Sequence, residues 1–84
     1  MAEYKVWNYD VWGNDEDGFT VNDRNEIGSV DLPDDPTDAQ ILEAISEYWD
    51  TDRLTIDDSA DFGDGVIEII VEETEEPVGQ LVRE

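Results

Sequence analysis

Eighty-four residues hold one hydrophobic core and no more, and the 38% hydrophobic share, with three Trp, three Tyr and two Phe, is enough to build it. A single small acidic domain over residues 1–84 is expected, and the absence of cysteine removes both a disulfide framework and a thiolate metal site. Twenty-five Asp and Glu against four Lys and Arg give a formal net charge of -21, which excludes nucleic acid and anionic membrane as direct partners and favours basic proteins or cations.

The first strand is expected over residues 3–12. Tyr4 and Val6 lie on one alternation and Trp7, Tyr9 and Val11 on the other, so the apolar phase switches at Trp7, through a bulge or because both faces are covered. The run from Gly13 to Gly18 has the Asn, Asp and Gly residues of a turn. Phe19 and Val21 begin a second short strand, Asn22–Asn25 reads as another turn, and Ile27–Leu32 as a third extended piece. Pro33 and Pro36 stop it, since proline cannot continue a ladder.

A helix is predicted over about 38–49. Thr37 is its N-cap, Gln40 completes a capping box, and Asp38 sits at the positive end of the helix dipole. Ile41, Leu42, Ile45, Tyr48 and Trp49 recur at helical spacing and form one apolar stripe. Beyond it, Leu54–Ile56 reads as a short strand, Asp57–Gly65 as an acidic loop, and Val66–Val71 as a β-branched strand interrupted only by Glu68. Glu73–Pro77 is a turn, and Val78–Val82 a closing strand that hairpins onto the previous one and could offer an exposed edge to another subunit. The expected fold is α+β, a single helix packed on a twisted, mainly antiparallel β-sheet in the order ββ(β)α(β)ββ.

The run Tyr9-Asp10-Val11-Trp12-Gly13-Asn14, followed by Asp17-Gly18 and Val21-Asn22-Asp23, resembles a pattern in small uncharacterised accessory proteins of tailed bacteriophages and prophages. Pro77-Val78-Gly79-Gln80-Leu81 is similar to their C-terminal hairpin. The likeness covers about a third of the chain. It implies a viral origin and a small accessory role, and supplies no catalytic residue.

Recognisable chemistry is scarce. An EF-hand loop with Gly18 at its sixth position would put Gly13 first and Arg24 twelfth, where ligands are required. With Gly63 at the sixth position, Ala60 and Phe62 stand where oxygen ligands belong. With neither His nor Cys there is no imidazole base and no thiolate. Carboxylates are so numerous that a pair of them carries no signal for acid–base work. No catalytic residue, metal or cofactor is expected, and the protein is read as a non-enzyme. Trp7, Tyr9 and Trp12 are better placed in the core than on a binding platform, with Trp12 the one to be left partly exposed.

The carboxylates carry the functional argument. They fall in every predicted turn, and Asp15, Glu16, Asp17, Asp34, Asp35, Asp57, Asp58, Asp61 and Asp64 are the candidate partner-binding residues. A compact chain of this length is roughly 30 Å across. Duplex DNA of that length carries on the order of 18 phosphates. The expectation is therefore a viral accessory protein that binds a basic partner. In its sharper form it is a DNA mimic that inhibits a host nucleic-acid defence enzyme, an anti-CRISPR or anti-restriction role. The alternative is a structural, assembly or uncharacterised domain whose acidity reflects salt adaptation or solubility. No apolar run reaches the length of a membrane span or a signal h-region, so the expected location is the cytoplasm, of the host cell if the protein is viral.

Overall fold

A computed structural model describes residues 2–14, 16–57 and 65–84. Its elements are β1 (Ala2–Asn14), β2 (Gly18–Leu32), α1 (Asp38–Ile45), a single 3-10 turn (Thr51–Arg53), β3 (Leu54–Ile56), β4 (Val66–Val71) and β5 (Pro77–Arg83). The five strands form one sheet in the order β2-β1-β5-β4-β3, and every neighbouring pair is antiparallel. The described residues form an α+β fold, dominated by strand, with one α-helix.

The largest departure from the sequence expectation is β2. The predicted turn at Asn22–Asn25 and the separate third piece at Ile27–Leu32 do not exist, because 18–32 is one strand paired along the whole of β1. Trp7 faces Glu26 while Val6 faces Gly28, and Val11 faces Val21 while Asp10 faces Asp23. Ile27 and Asn22 are thus left over as bulge residues. A bulge absorbs a polar or phase-breaking residue by bending the strand without reversing it. The bulges lie on β2, so β1 itself keeps alternating; its apolar phase switches at Trp7 because both faces are covered, Tyr4 and Val6 buried on one and Trp7 and Tyr9 half-buried on the other.

Tyr4 and Val6 point to the helix side, where Ala2, Val30, Leu32, Ile41, Ile45, Leu54, Ile69 and Leu81 complete the core. Ile41 and Ile45 are buried, and Leu42, Tyr48 and Trp49 pack against the same cluster, so the predicted stripe is the helix's inner face. Burying each such aliphatic side chain is worth about 1.5–3 kcal/mol. The predicted cap is present in full: Thr37 Oγ1 accepts from Gln40 N at 3.2 Å, and Thr37 N donates to Gln40 Oε1 at 2.9 Å.

The helix ends at Ile45, short of the predicted Trp49. Ser46 turns both its N–H and its hydroxyl to Glu43 O, at 3.3 and 2.7 Å. The aromatic pair after it is held by the sheet, with Tyr48 Oη donating to Ser29 O at 3.1 Å and Trp49 Nε1 to Asn8 Oδ1 at 3.2 Å. Gly28 and Gly79 make room for these rings. A Cβ on Gly79 would stand 2.2 Å from Trp7 O and 2.7 Å from the Trp49 ring. β5 is accordingly not an exposed edge: it lies between β1 and β4, and the edges are β2 and β3.

Candidate functional site

The acidic candidates separate to two ends of the molecule. β1 has 13 residues, which at about 3.4 Å each span about 40 Å. At one end, Asn14–Gly18 closes the β1–β2 hairpin. Asn14 Oδ1 accepts from Glu16 N at 2.9 Å and Asp17 N at 2.8 Å, a side-chain substitute for a backbone turn. Gly13 and Gly18 supply the positive φ angles, 113° and 88°, that flank it. Glu16 and Asp17 are exposed there.

Asp34, Asp35 and Asp57 lie at the other end. Arg83 ties this end together: its Nη2 is 3.6 Å from Asp34 Oδ1, and its N–H donates to Gly65 O at 2.7 Å. Asp57, partly buried, closes β3 by donating its N–H to Glu68 O at 3.0 Å. The remaining candidates, Asp15, Asp58, Asp61 and Asp64, lie outside the described residues, as do the Ala60 and Phe62 positions of the calcium comparison. Glu16 and Asp17 are therefore not brought together with Asp34, Asp35 and Asp57. Among the described residues no group of three carboxylates converges on a point that could hold a metal ion.

Few positive charges soften this surface. Lys5 bridges Glu26 at 3.4 Å and Glu84 at 3.3 Å, and these two carboxylates hold its amine above the usual lysine range. Glu84 also shares a hydrogen bond with Glu3, which pushes the Glu3 carboxyl up while Glu84 is held down by Glu3 and Lys5. Arg24 turns away from the acids: its guanidinium lies 4.3 Å from the centre of the Trp7 ring and donates to Gln80 Oε1. Lys5 and Arg83 thus engage Glu26, Glu84 and Asp34, and four Lys and Arg are too few to pair with 25 carboxylates one to one.

The sheet face away from the helix has its own polar cluster. Trp7 faces Gln80, Gln80 faces Glu68, and Tyr9 and Arg24 sit on the same side. Glu68 is only 7% exposed. Burial pushes its carboxyl up and the nearby Asp57 charge adds to this, while the hydrogen bond from Tyr9 pulls the other way. The Tyr9 hydroxyl is itself pushed up by burial and by Glu68. Glu68 Oε2 and Trp7 Nε1 are buried without a hydrogen-bond partner. The sequence reading passed over this cluster, although Glu68 was the one charged residue in an otherwise apolar strand.

The aromatics divide as the pleat dictates. Tyr4 is core, Trp7 and Tyr9 are half-buried on the face away from the helix, and Trp12 is 66% exposed. No protein-family model matches the chain, and no curated protein or solved structure matches it significantly. Among the described residues no helix is long and apolar enough to cross a membrane.

Proposed function

We propose that this protein acts by binding a basic protein partner and not by catalysis, and that it does so as a DNA mimic inside the nucleic-acid cleft of a host defence enzyme. The observation that supports this reading is the match of charge to length. The body measures 39 × 24 × 23 Å and carries a net charge of -21. Duplex DNA of the same 39 Å carries about 23 phosphates, at one charge per roughly 1.7 Å. Carboxylates at both ends of the long axis let such a body lie along a basic cleft and replace counter-ions over its whole length. Long-range attraction would also speed the encounter. Under this reading the protein is a viral accessory factor, working in the cytoplasm of the infected cell.

The test is a pull-down from host extract with the full chain as bait, eluted first by a salt gradient and then by duplex DNA. The expected result is one basic nucleic-acid enzyme that DNA displaces at moderate salt. Charge reversal at Glu16 and Asp17, compared with reversal at Asp34 and Asp35, then reports which end is gripped. Recovery of virion proteins that DNA does not displace would refute mimicry and make the protein an assembly factor.

A further inference from the structure

The β1–β2 hairpin outruns the sheet to which it belongs. β1 pairs with β5 only from Tyr4 to Asn8, whereas its ladder with β2 continues to Asn14 and Gly18. Residues 9–14 and 18–24 therefore form a two-stranded arm that, among the described residues, has no third strand paired beside it. Such a ribbon is marginal in water by itself and draws its stability from the sheet at its base.

The arm is nevertheless apolar. Trp12 is 66% exposed and Val21 42%, the two most exposed large hydrophobic side chains among the described residues. Val11 lies opposite Val21 and Phe19 opposite Gly13, so Val11, Val21 and Phe19 share one face of the ribbon by the alternation of the pleat. Trp12, opposite Thr20, is on the other. None of the four belongs to the core cluster or packs against it. Their burial therefore contributes nothing to the core, which leaves them free to be covered by something else.

Charge selects what covers them. From Tyr9 to Arg24 the chain has five carboxylates and a single cation, Arg24 at the base of the arm, whose guanidinium lies over the Trp7 ring. A second copy would bring the same five carboxylates and a net -21 against its twin, so pairing arm to arm works against like-charge repulsion. Nucleic acid and anionic lipid are repelled in the same way. A cationic protein is attracted, and a tryptophan ringed by polar groups is the usual composition of an interface hot spot.

We propose that this arm is the apolar anchor of the partner interface: a basic protein grips it in a slot that takes Trp12 on one side and Val11 and Val21 on the other. Lys and Arg at the rim of that slot face Asp10, Asp17 and Asp23. The inference rests on the basic-partner reading and adds to it the end of the molecule that is held and a contact that salt alone does not dissolve.

The experiment is selection of a random-peptide display library on the immobilised full chain at about 0.15 M NaCl, where surface charges interact over about 8 Å. Selected peptides are then titrated against Trp12→Ala, against Trp12→Ala/Val21→Ala and against Asp34→Asn/Asp35→Asn, each checked for native far-UV circular dichroism. Trp12→Ala alone, at the most exposed position, serves if the double variant fails to fold. The expected peptides combine Lys or Arg with an aromatic or aliphatic residue. They should lose about tenfold or more in affinity on the arm variants, and less than about threefold on the Asp34/Asp35 variant.

Purely cationic peptides that bind the arm variants as well as the wild type would overturn the inference and leave the basic-partner reading standing. Arm-dependent peptides without positive charge would overturn both. A selection that enriches nothing above the bare support would count against both as well. Dimerisation at 1 M NaCl that Trp12→Ala abolishes would assign the arm to a second copy and overturn the proposed partner.

Discussion

Salt should stabilise this fold by an amount comparable to its whole folding free energy. Spreading the net charge of -21 over a sphere with the observed radius of gyration of 12.3 Å, about 16 Å in outer radius, gives the folded-state repulsion. At physiological ionic strength, where the screening length is about 8 Å, that repulsion is about 19 kcal/mol; at 1 M, where it is about 3 Å, it falls to about 9 kcal/mol. The unfolded chain, with a radius of gyration of about 29 Å, retains only about 4 and about 2 kcal/mol under the same conditions. The net gain on moving to 1 M is about 8 kcal/mol, a ceiling because carboxylates also take up protons and counter-ions. A domain of 84 residues has about 4–13 kcal/mol of stability in total.

The assay is urea unfolding followed by tryptophan fluorescence at pH 7, in about 0.05, 0.15 and 1 M NaCl, spanning the screening lengths above. Urea is required because guanidinium is itself a salt. The same series near pH 4, where carboxylates are half-protonated, should show a much smaller slope. A folding free energy that changes by less than about 1 kcal/mol between 0.15 and 1 M NaCl would refute the reasoning, since the self-repulsion would then be absent. The series also separates the two accounts of the acidity. A protein already folded at physiological salt is compatible with mimicry, while one that folds only near molar salt is adapted to brine.

Further outcomes follow from individual side chains. Glu68 has a carboxyl raised by burial, so its stabilising contribution is complete below the ordinary value of 4.5 and is lost as pH rises through the folded-state value. Glu68→Gln should therefore become progressively more stable than wild type as pH climbs from 4.5 towards neutrality, by more than the exposed control Glu43→Gln; parallel pH profiles of the two variants would disprove the burial argument. Gly79→Ala places a methyl 2.2 Å from the Trp7 carbonyl, and should cost about 1–3 kcal/mol or more in urea unfolding. Gly18→Ala meets open space at φ 88°, and should cost only the left-handed penalty of about 1–2 kcal/mol. Thr37→Ala removes the hydroxyl half of the capping box, the bond from Gln40 N, while the backbone N–H of residue 37 keeps its bond to Gln40 Oε1; it should cost about 1 kcal/mol, with helical circular dichroism lost before sheet signal on heating.

Elements written into contiguous residues were legible in the sequence. The helix start at Thr37–Asp38 follows from a hydroxyl and an amide three residues apart, and its inner face from the 3.6-residue spacing of Ile41 and Ile45. Val66–Val71 and the Asn14–Gly18 turn follow from β-branching and from glycine in the same way. The acidity of the surface is composition, and needed no fold. Other features depend on which distant segments pair. Asn22–Asn25 has the residues of a turn but is strand, because β1 offers it a continuous partner and a bulge takes up the misfit.

Val78–Val82 looked like a closing edge and is central, because β1 lies against it across more than 70 residues of sequence. Glu68 is buried only because the sheet brings Tyr9 and Gln80 to its side, and no local pattern encodes that neighbourhood. The separation of the acidic turns to two ends, and the projection of Trp12 on an arm beyond the last β5 contact, likewise come from register alone. Local chemistry determined the elements and the charge. Long-range pairing decided where that charge sits and which aromatic was left outside.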